Sequence, residues 1–382
     1  MKKLTKILII LLVIIASLIA LLYITGNEYV VRGARIVYGT GHISTFIDDA
    51  DYFESMIIAK GETTDEWEIA DNYNKVPVSE KLQKTHDDLG TAAFLVIKND
   101  EIVHEYYDDE HSQTSETNSF SMAKSITVSL LGKAIKDGFI AGLDQPVSDF
   151  YPEYSNTNVT VGDLASMASG MKWSEQYISP FSITAESYFI DDISSLILNQ
   201  PIVDEPGQKF KYQSGSTQLL GLVIERATDK KLATYASESF WKPMGFSKDG
   251  KWLVDSAENM TAKTFCCVIS NARDFARFGK LYKDGGLWNG QRILDASFIE
   301  TAINPRFKDS PEYGYGFWLM DYNNKDIFIM RGILGQYVIT IPQDDLIVVR
   351  LGDKTGSFTG GYFTDDIYTY IDQAYMLSET IQ

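Results

Sequence analysis

The sequence predicts a mixed α/β fold: one sheet assembled from strands near both chain ends, with a helical lobe inserted in its middle and an apolar helix in front. Three observations carry this expectation. "TAAFLVIKNDEIVHEYY" (Thr91 to Tyr107) holds two strand-like runs split by Asn99-Asp100, and strand character returns only in "YGFWLM", "DIFIMRG", "QYVITIP" and "LIVVRLG". Between Ser119 and about Lys280 most segments have helical period or loop composition, punctuated by "DGFIAGLDQPVSDFYPEY" and "VDEPGQKF". An almost unbroken apolar run spans Ile7 to Ile24.

Taken in order, residues 1–25 read as a transmembrane anchor or a signal peptide, since Lys2, Lys3 and Lys6 precede an apolar run near the length of about 20 residues that crosses a bilayer. No A-x-A pattern clearly follows. A retained anchor with the lysines inside is therefore favoured over cleavage, although Arg32 and Arg35 weaken the charge asymmetry. Either way the body lies outside the cytoplasm, anchored or secreted. Residues 26–77 are acidic and aromatic without clear period and read as a segment leading from the membrane. Residues 78–382 form the main domain, beginning with a helix from about Val78 to Leu89. Asn99-Asp100 is a hairpin signature, the helical lobe covers approximately 135–265, and an amphipathic helix from about Asp365 to Leu377 ends the domain.

A chain of 382 residues holds two domains or one domain with an inserted lobe. Its net charge of -18 argues against a nucleic-acid partner, which needs clustered Lys and Arg. Cys266 and Cys267 are neighbours; on a strand they would point to opposite faces, poorly placed to pair, and they read as two buried small hydrophobes. The four histidines, His42, His86, His104 and His111, lack ligand spacing, so no metal site and no cofactor is expected.

"NSFSMAKSITVSLLGKAIKDG" places Ser121 at the start of a strong helical pattern, with Lys124 three residues on and therefore on the same helix face. A serine hydroxyl becomes nucleophilic when a neighbour takes its proton, and a lysine whose pKa is lowered by burial can do so. The pattern S-x-x-K also occurs at Ser169/Lys172 and Ser239/Lys242, but only Ser121 opens a long helix followed by apolar residues. The bland reading of Ser121 is an ordinary helix N-cap. Tyr212 sits between the Pro206-Gly207 turn and the helical run "STQLLGLVIERATD", from which a phenol can project into a cleft and shuttle protons. Its bland reading is a half-buried loop anchor.

"SFSMAKS" followed about 90 residues later by "PGQKFKYQSGSTQLLGLVIE" resembles the serine β-lactamase and penicillin-recognising superfamily, in the branch holding class C β-lactamases, esterases and 6-aminohexanoate-dimer hydrolases. "VTVGDLASMASGMKWSE", "TFCCVISNARDFARFGKLYKDGG" and "GQYVITIPQDDLIVVRLGD" extend the resemblance over roughly residues 85–378. It implies an α/β (α+β), β-lactamase-like fold, an antiparallel sheet flanked by helices with an inserted all-helical lobe. It further implies a serine hydrolase that forms an acyl-enzyme at Ser121 and acts on a small-molecule ester or linear amide, with Lys124 and Tyr212 sharing the proton.

The superfamily's third element, Lys-Thr-Gly or His-x-Gly, matches Lys354-Thr355-Gly356 by spelling, but that tripeptide is followed only by loop and helix. The strand "DIFIMRGILGQ" has the expected two strands after it, so Met330-Arg331-Gly332 occupies the position and "DKTGS" is a surface loop. By the same correspondence the N–H groups of Ser121 and Ile333 hold the oxyanion, and Gly332 and Ser214 border the substrate. Alternation turns Arg331 away from Met330 and Gly332, which leaves the usual cation missing and puts β-lactam or D-alanyl-D-alanine hydrolysis in doubt. Trp173 and Tyr177 could edge the pocket, with core or loop packing the readier reading. The alternatives are a class C-like β-lactamase or carboxypeptidase and a membrane-anchored sensor that acylates without turnover. An α/β-hydrolase is disfavoured because no G-x-S-x-G occurs and no histidine follows residue 111.

Overall fold

In a computed structural model that describes residues 2–379, both chain ends build one seven-stranded sheet. Its order is Trp318–Tyr322, Lys325–Gly332, Gln336–Ile341, Leu346–Gly352, Thr91–Lys98, Glu101–Tyr107 and Glu68–Ile69. The early and late strands meet where Val349 lies opposite Leu95 in an antiparallel ladder. Only the outermost pairing, Glu68 with Glu101 and Ile69 with Ile102, is parallel. Asn99 and Asp100 both take positive φ, 52° and 65°, the conformation that a two-residue hairpin loop requires.

The sheet separates two cores because side chains alternate along each strand. Leu95 and Ile97 face the cluster holding Phe275 and Phe278 of the helix Ala272–Lys283. Phe94 and Val96 face the cluster holding Ile367, Tyr370, Ile371 and Ala374, one stripe of the terminal helix Asp365–Ser378. The helix Glu80–Leu89 packs on that same side, its first turn closed by Ser79, which accepts from the Leu82 N–H at 3.1 Å.

The inserted lobe centres on the helix Ser214–Thr228, packed against Met122–Lys136 and the short helix Val161–Ala165. It is not all-helical. Gly250–Leu253 is a strand of a second sheet, ordered Ser55–Ile58, Gly250–Leu253, Val268–Ser270 and Thr117–Asn118.

Residues 26–77 do more than lead away from the apolar helix Lys2–Ile24. They form the helix Glu28–Val37, supply the edge strand of the small sheet, with Ser55 opposite Leu253, and supply the outermost strand of the large one. The apolar helix itself has a mean hydropathy of 3.3 and none of it is buried, and by length and composition it can cross a membrane.

A second expectation from the sequence is overturned. Cys266 and Cys267 are buried, but they are bonded to each other as a disulfide with Cα atoms 3.7 Å apart. They lie in the turn before Val268–Ser270 and not on the strand, and Cys267 has φ 79°. The left-handed conformation removes the strand alternation that would have separated the two side chains.

Candidate active site

The nucleophile candidate sits where a strand turns abruptly into a helix. Phe120 takes φ 43°, an unfavourable value for a side chain with a Cβ, and its N–H is held by Asn118 Oδ1 at 3.0 Å. Asn118 in turn donates to Asp49 Oδ1 at 2.8 Å, so a residue of the N-terminal segment braces the turn. Ser119 fixes the other side, its N–H on the Val268 carbonyl at 2.9 Å and its hydroxyl accepting from the Val268 N–H at 3.0 Å.

Ser121 occupies the N-cap position of Met122–Lys136, yet its side chain makes no capping hydrogen bond. It accepts instead from Lys124 Nζ at 2.9 Å. That geometry replaces the ordinary N-cap reading. Lys124 is 1% exposed, donates also to the Phe265 carbonyl at 2.7 Å, and lies 5.0 Å from the centre of the Tyr212 ring. Burial pushes its ammonium down to about 8, against the opposing pull of the Glu175 carboxylate. Burial and Glu175 hold the Tyr212 phenol well above the usual range, partly offset by its hydrogen bond to Ser121 and by the charge of Arg331. Near neutrality, then, a lysine that readily gives up its proton and a tyrosine that keeps its own flank one hydroxyl.

Glu175 is the residue that the sequence analysis did not single out. Its carboxylate accepts from Trp173 Nε1 at 2.8 Å, Tyr177 Oη at 2.6 Å, the Ser214 N–H at 2.8 Å and Ser214 Oγ at 2.7 Å. It ties the loop after "ASG" to the first turn of Ser214–Thr228, and it commits the Ser214 hydroxyl to itself. The available signal was an acidic residue two places after the buried Trp173, half-buried itself in a stretch where Ser174, Gln176 and Tyr177 are exposed. Trp173 is core, whereas Tyr177 is exposed and lines the cavity.

A cavity of about 270 Å³ opens at Ser121, with Ser214 and Ile333 also on its wall. Gly332 approaches the nucleophile turn so closely that a Cβ there would lie 2.4 Å from the Ser119 carbonyl oxygen. The neighbour that Gly332 admits is thus the protein's own turn, a use different from the substrate contact expected. Arg331 does point away from the buried Met330, but onto the face shared with Tyr212. Its guanidinium lies 5.3 Å from the Trp318 ring, which is itself 5.3 Å from that of Tyr212. The charge of Arg331 acts on Tyr212 from behind Trp318, and its side chain does not line the cavity at Ser121.

The competing motifs lie elsewhere. Ser169 is buried against Ser216 Oγ at 2.7 Å, Ser239 is buried, and both partner lysines, Lys172 and Lys242, are exposed. Lys354 is exposed in the loop after the last strand, where its carbonyl accepts from Arg350 at 2.8 Å.

Known proteins share this architecture. The chain is 24% identical over 302 residues to the 6-aminohexanoate-dimer hydrolase of Paenarthrobacter ureafaciens, covering 71% of this chain and 74% of that protein. A solved structure from Bacillus anthracis, provisionally named a 6-aminohexanoate-dimer hydrolase, superposes with a TM-score of 0.73 at 20% identity, covering 87% of this chain and 92% of that one. A family VIII carboxylesterase superposes with a TM-score of 0.62 at 19% identity, covering 82% and 99%. The sequence profile of the Beta-lactamase family matches residues 78–364, which include Ser121, Lys124, Tyr212 and Ile333, and the chain belongs to that family.

Proposed function

We propose that this protein is a serine hydrolase that cleaves an ester or linear amide through an acyl-enzyme at Ser121. The observation that carries the reading is the 2.9 Å contact between Lys124 Nζ and Ser121 Oγ at the head of a buried helix, on the wall of an open cavity. Lys124, in its neutral form, takes the hydroxyl proton as Ser121 Oγ bonds to the substrate carbonyl carbon. The N–H groups of Ser121 and Ile333 hold the resulting oxyanion. Tyr212, which keeps its proton, passes it to the leaving oxygen or nitrogen as that bond breaks, and is reprotonated from Lys124. Water then repeats the sequence on the ester, releasing the acid and restoring the serine.

The Lys2–Ile24 helix acts as a membrane anchor in this reading, with the domain on the outer side. The Cys266–Cys267 disulfide supports an oxidising compartment. The test is turnover of p-nitrophenyl acetate by the full chain in detergent, wild type against Ser121→Ala. The hydrolase reading expects steady release beyond one equivalent from the wild type and none above background from a folded Ser121→Ala; equal rates would sink it.

A further inference from the structure

One side of the cavity at Ser121 is walled by chain that lies outside the family-matched residues 78–364. Val30, Gly33, Ala34 and Val37, at i, i+3, i+4 and i+7 of the helix Glu28–Val37, form one stripe along it. Phe120, Phe189 and Phe265 line it as well. Gly33 lets the helix close down, since a Cβ there would lie 2.9 Å from the Phe189 ring. None of the lining residues is Asp, Glu, Lys, Arg or His. The apolar lining continues outward: Tyr38, Ile43 and Ile178 line the cavity while 69%, 91% and 94% exposed. Large apolar side chains left this open and grouped around one cavity mark a binding surface.

Resting on the serine-hydrolase reading, we propose that this cavity is the acyl site for an uncharged aliphatic acyl group, with the helix Glu28–Val37 setting chain-length selectivity. An apolar chain gains by leaving water for these walls. A charged end, such as the ammonium of a 6-aminohexanoyl group or a carboxylate, would lose its hydration with no counter-ion among the lining residues. The N-terminal segment thus turns a shared site toward a substrate class of its own.

The experiment measures kcat/KM of the full chain in detergent for p-nitrophenyl acetate, butyrate, hexanoate and octanoate, and for the 6-aminohexanoate ester. The expected result is a rise of up to about fourfold per added methylene, the factor for complete burial, and at least a hundredfold preference for hexanoate over 6-aminohexanoate. Ala34→Trp, which fills the cavity from an exposed helix position, is expected to cut the octanoate-to-acetate ratio at least tenfold. Acetate turnover through Ser121 with a flat or falling chain-length series, or with 6-aminohexanoate as good as hexanoate, overturns the acyl-site proposal and leaves the hydrolase reading standing. Failure of every ester to acylate Ser121 removes the hydrolase reading and this proposal with it.

Discussion

Among the described residues two lysines are buried, Lys124 and Lys263, and of these Lys124 faces a hydroxyl. Lys124 and Lys263 are both nearly inaccessible, and burial pushes both ammonium groups down, to about 8 and about 7. Lys263 donates to the Tyr188 carbonyl at 2.7 Å and lies 4.0 Å from the centre of the Phe53 ring, with Arg32 lowering its pKa further and Asp49 and Asp255 raising it. Lys124 has a comparable shell, but one of its two partners is Ser121 at the cavity wall. The pair teaches that a lowered pKa reports burial, whereas activation of a nucleophile also requires a neighbouring hydroxyl and access for substrate.

Removing each ammonium in turn separates the two lysines most strongly. Lys124→Met should lower kcat/KM by about a thousandfold or more in a folded protein, because Ser121 then has no base. Lys263→Met should keep ester hydrolysis within severalfold of wild type, and an equally large loss would erase the distinction. The second variant carries its own signature in stability. Between about 7 and the ordinary lysine value, the unfolded chain holds a proton that folded Lys263 lacks, so stability rises with pH across that window by up to about 1.4 kcal/mol per unit. Thermal unfolding at pH 7, 8 and 9 should therefore show Lys263→Met gaining on the wild type as pH falls.

A smaller effect separates the two flanking groups of the site. Tyr212→Phe should depress hydrolysis of an anilide or alkyl amide about a hundredfold more than that of a p-nitrophenyl ester, because p-nitrophenolate leaves without a proton. Equal losses on both substrates would make Tyr212 a packing residue.

Smaller still is the pH response. Acylation by the wild type should rise with pH and level off above about 8 as Lys124 loses its proton, with no fall near pH 9 because Tyr212 remains protonated. A profile flat from pH 6 to 9 would remove Lys124 as the titrating base.

What could be read from the sequence divides along the same physical line. The contact between Ser121 and Lys124 was legible because three residues along a helix is a local relation, and the place of Met330-Arg331-Gly332 at the end of a strand with two more strands after it was legible from the order of β-rich runs. The wall formed by Glu28–Val37 was not. Its stripe gains meaning only when the lobe residue Phe189 packs against Gly33, a contact far along the chain, and Arg32 and Arg35 on the same helix read first as topology signals. Glu175 was hidden for a similar reason, since its four donors come from two separate segments. The cysteine pair was misread because the alternation argument assumed a strand where the backbone makes a left-handed turn.

The most direct test of the central claim is peptide mass mapping of the full chain, quenched at early times after mixing with p-nitrophenyl butyrate. The expected result is a butyryl group on the peptide containing Ser121 that forms quickly and decays as product continues to appear. Sustained turnover with that peptide unmodified, or an adduct confined to another residue, would contradict it, and a Ser121 adduct that never clears would mark the protein as a sensor rather than a hydrolase.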